Sequence, residues 1–351
     1  MNISTFINYN HACIRSYKDY SFFINTLWDD NERFINFSHI NEILYNELMA
    51  METGGFSHGG VSENYGIEQL SQRQVLYRKW GYFSLSQLLQ RKKQWNENNI
   101  ILDALSGNGT FERTISQLYS RYPSCIGNDV SLSMVMQGIQ DGRRIYWTDI
   151  TQNILNEGFA DYAIAAYGFH HIPINRRTAF IQGMISRMKH GGTLVLHDFV
   201  SGTPTARWYS ECIHQYRTIG HDYPHFTPDE FYALLNNSGL KEISIKIIYD
   251  PFIIPVSQDA DYQRIISKFV FYLICLFALD KLFYLCEEKS PDMALITRLA
   301  KYFHCSDNEL QQIIPLSGQE NTLCNSISVK NINGQKYLIA PRTAIAAVGE
   351  R

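Results

Sequence analysis

The chain has 351 residues, 45% of them hydrophobic, 13% aromatic and 19% charged, with a formal net charge of −3. That is ample apolar mass for a core, too little charge for disorder, and more length than one ordinary α/β domain needs. Arg91-Lys92-Lys93 is the longest basic run, and a nucleic-acid partner normally demands a basic stripe to neutralise phosphates, so none is expected.

Residues 1–95 read as mainly helical. Ser38 is placed to cap a helix carrying Ile40, Ile43, Leu44, Tyr45 and Leu48, ending near Gly54-Gly55. Residues 54–66 are rich in glycine and have no periodicity, which predicts a loop. Helical spacing resumes at Ser84, with Leu85, Leu88, Leu89 and Trp95 facing inward.

Residues 96–255 carry the informative pattern. The apolar run Ile101-Leu102 ends in Asp103, and Ala104-Leu105-Ser106-Gly107-Asn108-Gly109 follows before an amphipathic segment from Phe111. This predicts strand, tight glycine turn and helix, with the backbone N–H groups of the turn open to a ligand. The dinucleotide fingerprint is incomplete, because Glu112 stands where a third glycine would. A second strand ends in Asp129, twenty residues past Gly109, the distance expected of an acid that holds ribose hydroxyls. A third ends in Asp149-Ile150, a fourth in Tyr167, and a fifth runs through His197-Asp198. Helical patterns separate them, which predicts a parallel, doubly wound α/β sheet.

This series resembles the class I S-adenosylmethionine (SAM)-dependent methyltransferases over residues from about 100 to 250. The resemblance implies a Rossmann-like sheet of seven strands, with an N-terminal helical cap and a helical insertion before the last strand. It implies SAM as cofactor, with Asp103, Leu105, Gly107 and Gly109 at the glycine turn. By the same likeness Asp129 holds the ribose, Asp149 and Ile150 flank adenine, and Tyr167 closes the fourth strand. The segment Phe169-His170-His171-Ile172 matches the family's stretch after strand four. There His170 and His171 are the catalytic candidates, because a hydroxyl acceptor must lose a proton and histidine titrates near neutrality. The Asn/Asp-Pro-Pro-Tyr signature of planar-nitrogen methylation is missing, which favours oxygen, carbon or sulfur acceptors.

Tyr65, Tyr77 and Tyr82 are lid candidates by that resemblance, and Tyr65 is assigned to the acceptor site. Beyond the fifth strand the sequence is rich in histidine, and His197, His221, Tyr223 and His225 are read as lining an acceptor pocket. The clustered His and Asp also allow a metal site, but their spacing matches no standard ligand set, so the pocket reading is preferred and no metal is assigned. Thr227-Pro228 marks a helix start, and a sixth strand follows from Lys241.

Residues 256–325 form an insertion of about seventy residues. Its apolar stretch 265–285 is interrupted by Lys268 and Asp280-Lys281, and the unbroken part, Phe269 to Leu279, is shorter than the roughly 20 residues a membrane span requires. It is read as a core helix of an added subdomain, with a homodimer contact as the next alternative. Residues 326–351 contain an Asn-Gly hairpin, one strand of which is the candidate seventh strand.

The seven cysteines show no Cys-x-x-Cys pair, so neither a disulfide framework nor a zinc site is expected. No signal sequence is evident, which points to the reducing cytoplasm. The expected activity is methyl transfer from SAM to a hydroxyl or carbon of a small molecule in natural-product metabolism. Alternatives are a SAM-binding cyclase or lyase that does not methylate, and a non-catalytic partner subunit.

Overall fold

The structure is a computed structural model that describes residues 14–52, 77–288 and 292–351. Helices α1 (Tyr17–Thr26) and α2 (Glu42–Glu52) come first, then α3 (Lys79–Leu89). Ser38 does not cap α2. It lies in a 3-10 turn held by Asn36, and the side chain of Asn41 caps α2 through Leu44 N–H at 3.0 Å. α3 starts five residues before Ser84 and ends at Leu89, so Trp95 is buried from the loop beyond it.

The central sheet is built from β1 (Ile100–Asp103), β2 (Ser124–Asp129), β3 (Ile145–Trp147), β4 (Ala160–Ala165), β5 (Met188–Asp198), β6 (Lys241–Tyr249) and a last strand, Thr343–Glu350. β1 to β5 are parallel, and their apolar runs are buried on both faces as a parallel sheet requires. Between them run α4 (Thr110–Leu118), α5 (Leu132–Gln140) and α6 (Arg177–Arg187). Helix α7 (204–216) follows β5 and contains a π-helical stretch, Trp208–Ile213. α8 (Pro228–Asn237) precedes β6, and Thr227 and Glu230 close its start as a capping box.

After β7 (Phe252–Pro255) comes the insertion, which is helical as expected. The apolar stretch is not one helix, however. α9 (Tyr262–Leu276) stops before Ala278, which turns to φ 47°, and Leu285 sits on a separate short helix. Ile265, Phe269, Val270 and Leu273 are buried within the chain, with Phe269 against Phe303 at 4.9 Å and Phe252 at 5.9 Å between ring centres. No described helix is long and apolar enough to cross a membrane.

The hairpin β8 (Ser328–Ile332) and β9 (Gln335–Ala340) forms where Asn333-Gly334 predicts it, both residues at positive φ. It does not complete the main sheet. β9 pairs with β7 in a separate three-stranded sheet, and the seventh strand of the main sheet is β10 (Thr343–Glu350). β10 runs antiparallel between β5 and β6 and is buried along its whole length. Its two buried faces erase the alternation by which a strand is read from sequence.

The core lies in two layers. α3, α7 and α9 cover one face of the sheet, and α1, α2, α5, α6 and α8 cover the other.

Candidate active site

The site sits where the parallel strands end. Gly107 and Gly109 adopt φ 52° and 80° after β1, conformations that favour glycine. The turn is tied to the next strand: Gly107 N–H donates to Asp129 Oδ2 at 2.8 Å, and Ser131 N–H donates to Asp129 Oδ1 at 2.9 Å. Asp103 is buried at the end of β1, where loss of water and then the charge of Asp129 push its carboxyl up to about 8. Burial also raises the Asp129 carboxyl. Beyond β3, Asp149 accepts from Thr151 N–H at 2.9 Å and forms an ion pair with Arg176.

Tyr167, at the end of β4, has φ 61°, a strained value for a bulky residue. Its environment holds it there. The Arg78 guanidinium lies 4.1 Å from the centre of its ring, and the His197 ring is 4.2 Å away. Below it Asp250 and Arg342 form a buried ion pair at 2.6 Å. Gly81 of α3 leaves room for this group; a Cβ there would meet Asp250 Oδ1 at 2.1 Å and the Tyr167 hydroxyl at 2.3 Å.

These residues open onto a cavity of about 380 Å³, within the range of small-molecule sites. Asp103, Leu105, Gly107, Asp129, Asp149, Ile150 and Tyr167 line it, as does Tyr82. Gly109 does not: it starts α4 with its Cα against the Arg143 side chain, and serves the turn alone. Tyr77 packs on Tyr272 instead of the cavity. Tyr65 lies outside the described residues.

The other end of the cavity is histidine-rich. His170 and His171 occupy a 3-10 turn after β4, and His221 and Tyr223 come from the loop that follows α7; all four line the cavity. His170 Nδ1 is 2.9 Å from both oxygens of Asp198, whose Oδ2 also accepts the His170 backbone N–H at 2.7 Å. Burial alone would raise the Asp198 carboxyl, but the adjacent His170 and its hydrogen bonds outweigh it and hold Asp198 well below the carboxylate range. Asp198 therefore orients the His170 ring, with Nδ1 donating to the carboxylate. Burial, reinforced by the neighbouring His170, pushes His221 down to about 2 and holds His171 well below its usual value.

Two acceptor-pocket candidates are placed elsewhere. His197 lies under Tyr167, where its Nδ1 accepts the Tyr167 N–H at 3.3 Å and burial lowers it to about 3. His225 stands behind Asp198, Nδ1 to Oδ1 3.8 Å, and does not line the cavity. Sequence reasoning missed the roles of Asp198, Arg176, Arg78 and the cavity-lining Tyr209 and Arg217. Asp198 carried a usable signal, since it ends β5 as Asp103 and Asp129 end β1 and β2. The arginines carried none.

No protein-family model matches the chain, and no curated protein matches it. Among solved structures it is similar to a SAM-dependent methyltransferase from Thermotoga maritima, at 15% identity over 51% of this chain and 79% of the other, TM-score 0.40. A SAM-dependent methyltransferase from Archaeoglobus fulgidus matches at 11% identity over 80% of this chain and all (100%) of the other, TM-score 0.41. Haemonchus contortus phosphoethanolamine N-methyltransferase 2, in complex with phosphomonomethylethanolamine and S-adenosylhomocysteine, matches at 14% identity over 80% and 60%, TM-score 0.43. The sheet itself is more telling: the order is β3-β2-β1-β4-β5-β10-β6, with the late strand β10 inserted antiparallel between β5 and β6. This is the Rossmann-like fold of class I methyltransferases. In that fold, as in open α/β sheets generally, ligands bind outside the carboxyl ends of the strands, where this cavity lies.

Proposed function

We propose that the chain is a SAM-dependent methyltransferase acting on a small-molecule acceptor, a hydroxyl or carbon of the kind found in natural-product metabolism. The observation that carries this reading is the Asp129 carboxylate tied to the Gly107 turn at the mouth of the cavity. Each Asp129 oxygen accepts one backbone N–H, and each keeps lone-pair capacity for one hydroxyl of a vicinal diol. The glycine turn adds no side chain where a ligand backbone would approach, and Asp103, titrating near 8, is poised to ionise beside a ligand ammonium. The residues present fit the cofactor.

Bound SAM supplies an electrophilic methyl on a sulfonium. The chain's contribution is alignment and exclusion of water. Asp129 and Asp149 fix the nucleoside end, and Tyr167, packed on His197 and Arg78, sets the floor between the two ends of the cavity. The acceptor meets His170 and His171, which assist loss of the acceptor's proton as its nucleophilic atom comes into line.

Calorimetric titration with SAM and S-adenosylhomocysteine tests the reading. Micromolar-range binding to the wild type, weakened at least ~100-fold in Asp129→Ala, is the expected result, since two charge-assisted hydrogen bonds are removed. Absence of binding to the wild type would sink it.

A further inference from the structure

Three histidines from two separate segments converge at the acceptor end of the cavity. The ligand-capable nitrogens of His170, His171 and His221 lie within 4.8 Å of one another. Unpartnered buried imidazole nitrogens are costly, because a lone pair or N–H taken from water without a partner loses its solvation. Here two of them face the same space. His170 Nε2 and His221 Nδ1 are buried and have no hydrogen-bond partner, and both rings line the cavity.

From this geometry we infer that His170, His171 and His221 form a facial three-histidine site for a divalent transition-metal ion, open towards the acceptor end of the cavity. Three imidazoles are the donor set of choice for zinc and its first-row neighbours, and three ligands with an open position is the arrangement of a catalytic site. A tetrahedral ion with metal–nitrogen bonds near 2.1 Å needs nitrogens about 3.4 Å apart, so small ring rotations complete the set.

Asp198 makes the site more than a coincidence of rings. It takes the Nδ1–H of His170 at 2.9 Å, which fixes the tautomer, orients the ring and raises the basicity of Nε2. A carboxylate behind a ligating histidine is the usual outer partner of a metal site. Arg217 lines the same end of the cavity. Its positive charge works against a bare cation and favours a site completed by an anionic ligand. Spacing along the chain hid this set, because position 221 lies fifty residues beyond 171 and matches no standard motif.

Metal binding here stands independently of the proposed methyl transfer; only its use rests on that reading. An acceptor hydroxyl on the open position would lose its proton to solvent. Its oxygen would then attack the sulfonium methyl, forming the O–CH3 bond as the C–S bond breaks and its electron pair returns to sulfur. His170 would act through the ion, and Asp198 would be a positioning residue.

The test is titration of chelator-stripped full-length protein with Co²⁺, followed by its visible d–d absorption. The wild type should bind one ion per chain with bands of a nitrogen-rich, low-coordinate site. His171→Ala/His221→Ala should lose at least ~100-fold in affinity, and the near-isosteric Asp198→Asn should lose ~10–100-fold. Absence of the bands in the wild type, or bands of equal affinity in the double variant, would overturn the proposal. Titration of the same samples with S-adenosylhomocysteine separates the two claims. S-Adenosylhomocysteine binding by a wild type without Co²⁺ bands defeats the metal site and leaves the cofactor reading standing. Histidine-dependent Co²⁺ binding without S-adenosylhomocysteine binding supports the metal site and defeats the cofactor reading. Retained S-adenosylhomocysteine binding by the double variant shows that it folds, so its loss of Co²⁺ counts for the site.

Discussion

The two ends of the cavity are built by different means. The proposed cofactor end is backbone and carboxylate: a glycine turn, and acids that close β1, β2 and β3, each positioned by the strand that carries it. The proposed acceptor end is imidazole, gathered from the exit of β4 and the loop after α7, with Asp198 at the exit of β5 holding His170. A strand end places its residue by local geometry. A convergence of loops places its residues only through the packing of everything beneath them. The first kind of site tolerates a changed neighbour and the second does not.

The sharpest way to break the comparison is to remove one acid from each end. Asp129→Ala should abolish most S-adenosylhomocysteine affinity and leave Co²⁺ binding at the histidines within about twofold, since the two groups are independent. Asp198→Asn should do the reverse. It should lower kcat with the eventual acceptor by ~10–100-fold, through the loosened His170 ring, and leave S-adenosylhomocysteine affinity nearly unchanged. If Asp198→Asn also cost ~100-fold in S-adenosylhomocysteine affinity, the ends would be one coupled network and the distinction would fall.

Both ends share a floor, and Gly81 tests it. A methyl group at that position meets Asp250 Oδ1 at 2.1 Å and the Tyr167 hydroxyl at 2.3 Å. Gly81→Ala should destabilise the fold by about 1–3 kcal/mol through overpacking. It should weaken both ligands together, because Tyr167 belongs to both ends. A melting temperature equal to that of the wild type would show that the floor can shift.

The same contrast explains what the sequence could say. Asp103, Asp129 and Asp149 were legible because each ends an apolar run at a spacing set by the strand-turn-helix unit. The Asn333-Gly334 hairpin was legible for its turn chemistry, but not its partner, because pairing with β7 or with β5 is decided in three dimensions. β10 was hidden because burial on both faces removed its alternation. His197 and His225 look no different from His221 in sequence, yet Tyr167 covers one and Asp198 stands before the other. Arg176 and Arg217 announced nothing, since an arginine's role is set by what it reaches.

Acidity offers a finer probe of the cofactor end. With the Asp103 carboxyl at about 8 in the folded chain against an ordinary 3.8, the native state holds the extra proton between those limits. Stability of the ligand-free protein should therefore fall as pH rises through about 4–8, by at most ~1.4 kcal/mol per pH unit from this group. Denaturant unfolding at several pH values should show that slope, flattened in Asp103→Asn. A cationic ligand beside Asp103 favours the carboxylate, so saturating SAM should also flatten it. An identical slope in Asp103→Asn would place the titration elsewhere.

The smallest effect is expected at Arg176. Its guanidinium pairs with Asp149 and also contacts Thr151 Oγ1 at 3.2 Å, but its side chain is 38% exposed. Solvent screening reduces such a pair to below about 1 kcal/mol. Asp149 keeps its bond from Thr151 N–H without it, so the strand end remains in place. Arg176→Ala should therefore shift S-adenosylhomocysteine affinity by less than ~5-fold. The direction is informative. If Arg176 competes with an adenine amino group for the Asp149 oxygen, affinity should rise in the variant; if it clamps the nucleoside, affinity should fall. Calorimetry at low and at high salt separates these, because only an ionic clamp weakens as salt is added. A loss approaching that of Asp129→Ala would mean that the cofactor end, too, depends on a side chain reaching in from outside its own strands.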